Sequence, residues 1–271
     1  MTLSEFLQCV QRILPPTSAM AGDPIGTQIA SSAGIVSKVL TCMEITDAVI
    51  DEACKYDCDT IVTFHPLIYV PLKAIAGQDR VARLTARLIR SDISVVCVHT
   101  TFDAHRDGTN AILANKLGLS IVAPLERTTV DPNASQDTAF GIGIVASCRM
   151  SFVELLERVH AICGGPLRYS EPKSAAIERV AIVAGSGMSL YKNAIHCGAD
   201  VFITADVKYH DFHAATSTIG IIDPGHYEME QFVPEGMRLA LSAVCQSCSF
   251  VASSVSTSPV RHYQPTQAIR N

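Results

Sequence analysis

Apolar positions recur at helical spacing from the first residues. Thr2 with Glu5 three residues on forms a capping box, Leu3, Phe6, Leu7, Val10, Ile13 and Leu14 share one face, and Pro15-Pro16 ends the run. Short apolar runs at 36–42, 60–64 and 93–98 then alternate with helical patterns over 47–56, 81–90 and 109–117, the last closed by Gly118. This alternation predicts an α/β fold with helices covering a sheet. The polar stretch 125–138, with Asp131-Pro132-Asn133, reads as a loop or linker. A second α/β run follows, with strands near 140–146, 180–184, 201–204 and 219–222 and helices over 152–162, 190–197 and about 228–243. The expected organisation is a first lobe over residues 1–124 and a second over 125–251, its last helix free to pack back on the first lobe. A Ser/Thr/Pro/Gln-rich tail, 252–271, is expected to be poorly ordered after one last strand near Phe250.

Sliding the chain by 141 residues lays 36–64 on 177–205 without a gap. Val39/Val180, Ala53/Ala194, Asp59/Asp200 and Thr63/Thr204 coincide. Common βαβ grammar and duplication explain this equally well. The overlay puts His65 and Asp206 in equivalent places just past two strands, where open α/β sheets place ligands.

The 271 residues are 48% hydrophobic and 17% charged, enough to bury a sizeable core, and no apolar run reaches the roughly 20 residues of a spanning helix. A net charge of −5 argues against generic nucleic-acid binding. The opening residues lack a signal-peptide pattern, so a reducing, cytoplasmic compartment is expected. Ten cysteines are present; Cys54/Cys58 and Cys245/Cys248 are the only close pairs, and neither has a partner pair at zinc-ribbon spacing. They read as buried or incidental thiols.

Candidate chemistry follows the apolar strands. Thr63-Phe64-His65-Pro66, His99-Thr100-Thr101-Phe102-Asp103 and Gly225-His226-Tyr227-Glu228-Met229-Glu230 each place imidazole or carboxylate there. His226 and Glu230 are spaced i, i+4, so on a helix they share a face and can hold one cation; His99 and Asp103 have the same spacing ahead of Gly108, in a stretch that also reads as a turn. Taken alone, these patterns fit hydrogen-bonded structural histidines and surface ion pairs as well as ligands. Gly185-Ser186-Gly187 reads as a tight strand-to-helix turn, with anion binding at its amides the other reading. Asp206, Lys208 and His210, after the next strand, could orient a ligand His, hold an anionic substrate or shuttle a proton.

The wording of these segments, with residues 63–73, 98–104, Gly108, Asn110, 184–187, 204–210 and Gly225-His226-Tyr227-x-x-Glu230 in that order, resembles the Nif-three-like family. Many bacterial members of that family are named as homologues of a type 2 GTP cyclohydrolase I. The resemblance implies two similar α/β lobes with mixed sheets, a metal site in the cleft between them and toroidal homohexamers. It implies metal ligands at His65, Asp103, His226 and Glu230, with Glu230 bridging two ions. The family's first His of a His-His-Pro run is Phe64 here, so one divalent cation (zinc, iron or manganese) is expected rather than two, on His65, His226 and Glu230. His99 is the nearest replacement at the depleted position. An altered Asp-Asn-Gly pattern at 22–28 leaves Asp23, Gly26 and Gln28 as candidates to line the cleft. The implied activity is hydrolase-like, through a metal-activated water, with GTP the substrate suggested by the relatives' name. The alternative is a metal-stabilised regulatory or scaffold protein acting through a protein partner.

Overall fold

The computed structural model describes residues 1–77, 79–128 and 141–263. The first helix, α1 (Leu3–Ile13), starts at the expected capping box: Glu5 N donates to Thr2 Oγ1 (3.2 Å) and Thr2 N to Glu5 Oε2 (2.7 Å). It buries Phe6 and Val10. Fully burying a side chain such as Phe6 contributes on the order of 1.5–3 kcal/mol.

The first sheet has the order β1-β4-β3-β2-β11, from β1 (Gly26–Ile29), β4 (Ser94–Cys97), β3 (Thr60–Thr63), β2 (Lys38–Cys42) and β11 (Ser249–Ala252). Only β1 runs antiparallel to its neighbour. Successive residues of its central strands alternate between two cores: Leu40, Ile61 and Val95 face α2 (Asp47–Lys55) and α3 (Arg80–Arg90), while Val39, Val62 and Val96 face α1 and α10 (Val233–Val244).

The second sheet has the order β5-β6-β8-β9-β10-β7: β5 (Ser120–Arg127), β6 (Gly141–Ser151), β8 (Ala176–Ile182), β9 (Val201–Ile203), β10 (Gly220–Asp223) and β7 (Arg168–Ser170). Only β8-β9 and β9-β10 are parallel pairs. It is covered by α6 (Phe152–Cys163), α7 (Tyr191–His196) and α8 (Tyr209–Ala215), while α4 (His99–Ala104) and α5 (Thr109–Lys116) connect the sheets. The mixed two-sheet α/β architecture is the expected one.

Several local expectations change. Leu125–Arg127 belongs to β5 instead of a linker, its pairing to β6 overriding a polar composition; residues 129–138 of that stretch, and Phe140, lie outside the described residues. The last helix is two, α9 (His226–Glu230) and α10, with Gln231 and Phe232 between them. Both α10 and β11 return to the first sheet. The segment after Ala252 is not loose: Ser253 N donates to Thr41 O (2.8 Å), and the nearly buried Glu52 carboxylate accepts from the Ser253 hydroxyl and from Ser254 N (3.0 Å) and Oγ (2.6 Å). Residues 264–271 lie outside the described residues.

The 141-residue overlay survives in three dimensions. Asp59 Oδ2 accepts from Ser37 N and Lys38 N (2.9 and 3.2 Å), and Asp200 Oδ2 accepts from Glu178 N and Arg179 N (both 2.9 Å), 141 residues on. All ten cysteines are free thiols. Among the described residues no helix is long and apolar enough to cross a membrane.

Candidate metal centre

The carboxyl ends of the two sheets meet at one point. Parallel pairing continues past β3, with Phe64 N donating to Cys42 O and His65 N to Met43 O (both 2.8 Å), so His65 stands beside Glu44. From the second sheet, β10 ends at Asp223, whose buried carboxylate accepts from Gly225 N (3.0 Å) and Val207 N (3.1 Å). Asp223 thereby braces the turn into α9 and the loop that carries Asp206. On α9, His226 and Glu230 project from one face, as their spacing requires.

His65 Nε2 and His226 Nε2 lie 3.3 and 3.1 Å from Glu230 Oε2, and donor atoms of the three residues all fall within 4.8 Å of one another. Glu230 is 3% exposed, and its Oε2 has no hydrogen bond despite those short distances. The angles are wrong for hydrogen bonding, whereas three donors around one point suit a cation. The backbone makes room for this arrangement. At Gly185 (φ +67°) a Cβ would stand 2.4 Å from Glu230 Oε1 and 3.1 Å from His226 Nε2, so only glycine fits.

Each imidazole is fixed from behind. His65 Nδ1 faces Glu44 Oε2 at 3.2 Å and His226 Nδ1 faces Asp206 Oδ2 at 2.7 Å. A carboxylate on Nδ1 selects the tautomer whose Nε2 lone pair points to the shared centre, the usual setting of a metal-ligating histidine. Asp206 reaches His226 from a left-handed backbone, φ +56°. Burial works against a charged His65 ring, but the Glu230 and Glu44 carboxylates outweigh it and hold the ring up at about 10. Burial likewise opposes His226, where Glu230 and Asp206 prevail and raise it to about 9. Burial would raise Glu230, yet the two rings keep it below the usual carboxylate range.

The other expected residues divide. Asp103, on α4, lies beside the cluster with Oδ1 buried and without a hydrogen bond, and burial together with the Glu230 charge pushes its carboxyl up to about 7. It is nevertheless outside the three-residue set. His99 has the same carboxylate backing as His65 and His226, its Nδ1 facing Asp23 Oδ1 at 2.6 Å, and its ring packs 5.6 Å from that of Phe64 and 5.7 Å from that of His65, but it too is outside the three-residue set. Phe64 is wholly buried at the position of the absent histidine. Lys208 and His210 are exposed at the start of α8 and do not line the cavity beside the cluster. Gln28 is spent on the loop after His65, bonding to Ile68 N and O at 3.0 Å each. Gly26 sits on β1. In the Gly-Ser-Gly segment, Gly187 N already donates to Thr204 Oγ1 (2.8 Å), which supports the tight turn over an anion site.

Glu44 was not singled out by the sequence, although its place past the end of β2 carries the same positional signal as His65. Asn110, on α5, belongs to the wording that carries the family resemblance. It joins the lobes by donating to Asp103 O (3.1 Å) and accepting from Ala184 N (2.8 Å).

Known proteins resemble this chain over most of its length. The family model described as Duf34/NIF3 (NGG1p interacting factor 3) matches residues 1–259. A Lactococcus lactis protein named GTP cyclohydrolase 1 type 2 homolog is 30% identical over 240 residues, covering 86% of this chain and 89% of its own. A Streptococcus pneumoniae protein of the same name is 30% identical over 273 residues, covering 97% and 100%. Among solved structures, the Staphylococcus aureus protein SA1388 (22% identity) and a Bacillus cereus protein related to NIF3 (21%) each give a TM-score of 0.85, covering 97% of this chain and 99% of theirs, a likeness of fold. On the family match over nearly its whole length and on these relatives, the chain belongs to the Duf34/NIF3 (NGG1p interacting factor 3) family.

Proposed function

We propose that the chain binds a divalent cation at His65, His226 and Glu230 and acts as a hydrolase on a small-molecule electrophile. The observation that carries this reading is the buried, unbonded Glu230 Oε2 between two Nε2 atoms whose rings are fixed by Glu44 and Asp206. Two imidazoles and a carboxylate suit zinc, iron or manganese and leave positions open. A cation bound there would polarise a substrate oxygen and bring its water's pKa toward neutrality. Asp103, whose buried Oδ1 is unbonded and which feels the Glu230 charge, is the residue of this chain that would take up a proton there. With Phe64 in place of a ligand, one ion per chain is the expected stoichiometry. The relatives' name makes GTP the first substrate to assay, with formate release as the readout.

Elemental analysis of natively purified protein tests this directly. About one atom per chain, lost in His65→Ala and kept in Asp103→Ala, supports the reading; none after reconstitution with zinc, iron(II) or manganese overturns it.

A second reading has its own support. The ligand set takes His65 from one lobe and His226 and Glu230 from the other, so a cation would pin the two sheets together. If Glu230→Ala removes the cation and leaves Tm and particle size unchanged, this structural role fails. Assembly into homohexamers belongs to the same proposal. The loop after His65 exposes Tyr69, Val70 and Ile75, apolar surface that self-association would cover; light scattering checks the size.

A further inference from the structure

The three-residue cluster opens onto a cavity of about 820 Å³, within the range of sites that enclose drug-sized ligands. Its walls are mostly carbon, from Met43, Pro166, Pro224, Tyr227, Pro259 and Val260. The last two belong to the segment that leaves β11. That segment is tied at Ser253 and Ser254 to Thr41 and Glu52, and it is turned on itself where Arg261 Nη1 donates to Ser258 O (2.7 Å) and Val260 O (2.9 Å). It then brings His262 to 3.9 Å from Glu228 of the second lobe. The segment therefore forms the outer wall of the cavity, spanning from one lobe to the other.

Both arginines on these walls are already paired. Arg80 donates to Glu44 Oε1 (3.0 Å) and Ile45 O (2.7 Å), and Arg168 pairs with Asp223 while lying over the Phe212 ring. Four lining carboxylates, Glu44, Asp206, Asp223 and Glu228, face two lining guanidiniums. Away from the cation, a polyanion such as a triphosphate would meet a net negative wall with both arginines already paired, so only its group on the cation would find a positive partner.

We infer that the cavity takes a neutral or singly charged small molecule with an apolar, ring-sized body and one oxygen or nitrogen donor group for the cation. The body lies between Tyr227 and Pro224 on one side and Pro259 and Val260 on the other. This rests on the cation-binding reading above, and the test separates the two.

Cobalt-loaded full-length protein is titrated with three hydroxamates that share one metal-binding head, followed by the cobalt absorption spectrum and by calorimetry. Acetohydroxamate has no body, benzohydroxamate has an apolar ring, and 3,5-dicarboxybenzohydroxamate has the same ring with two added negative charges. Benzohydroxamate is expected to bind at least tenfold tighter than acetohydroxamate, and the dicarboxylate at least tenfold weaker than benzohydroxamate. Val260→Asp, at a side chain 56% exposed and outside the core, is expected to reduce the preference for benzohydroxamate over acetohydroxamate to threefold or less. Equal affinities for the first two probes, a preference untouched by Val260→Asp, or tightest binding by the dicarboxylate would overturn the inference while cobalt binding stands. Failure to bind cobalt at all would overturn the cation reading, and this inference with it.

Discussion

Gly185 and Glu230 come so close that a single methyl group separates a feasible site from an impossible one: a Cβ on residue 185 would stand 2.4 Å from Glu230 Oε1. Gly185→Ala must also adopt φ +67°, costing about 1–2 kcal/mol for an L-residue. The variant is expected to melt several degrees lower and to bind manganese or cobalt at least tenfold more weakly, by scanning fluorimetry and calorimetry.

Glu230→Gln keeps the shape of the side chain and removes its charge. Cation content is expected to fall to near zero by elemental analysis, as in His226→Ala, whereas Asp103→Asn is expected to retain it. Equal loss in all three variants would place Asp103 among the ligands.

Glu44 and Asp206 touch the imidazoles from behind, at 3.2 and 2.7 Å. Glu44→Gln and Asp206→Asn are each expected to weaken cation affinity by 10–100-fold without abolishing it. A titration with chelator-buffered zinc distinguishes weakening from loss.

The Glu52 carboxylate ties down the C-terminal segment. Burial would raise its pKa, but donors on Ser253 and Ser254 outweigh that effect and hold it below the ordinary value of 4.5. The tie is therefore at full strength above pH 4.5 and is lost as pH falls through the lower folded-state value. Limited proteolysis with pepsin after residue 253 is expected to accelerate over that acidic window. In Glu52→Gln, cleavage of the segment by a neutral-pH protease is expected to be faster than in the parent chain.

Asp59 and Asp200 hold corresponding turns of the two lobes, each accepting from two backbone amides. Replacing either with Ala is expected to cost about 1–3 kcal/mol, since it strands amides that were paired to a charge. The sites occupy separate sheets, so the double variant should show nearly the sum. Urea denaturation measures both.

These two aspartates show what a single sequence can disclose. Their register, the strand-end histidines and the i, i+4 pair on α9 are local or periodic signals, and all lead to residues that meet in space. What escaped detection depends on partners far along the chain. β5 carries Pro124, Glu126 and Arg127, a composition that suits an edge strand and hides it from a search for alternating apolar residues. β7 has only three residues, too few for any period. The order of Ser253 and Ser254 comes from Glu52, about 200 positions earlier, and nothing in the composition of the tail announces it. Phe64 had the opposite effect: its departure from the family wording was visible at once, but that its ring fills the space beside His99 was not.

The return of β11 to the outer edge of β2 has a consequence for how the protein is made. All six strands of the second sheet lie between residues 120 and 223, whereas the first sheet gains its fifth strand only at Ser249. The second lobe is in effect inserted into the first, and a ribosome-bound chain can complete the inserted unit while β2 still presents unpaired amides and carbonyls. That edge is a template for pairing with other nascent chains until the last strand arrives. Chains that stop short of residue 249 should thus aggregate through their first lobe even when their second is sound, and the C-terminal strand serves as the latch that closes the fold.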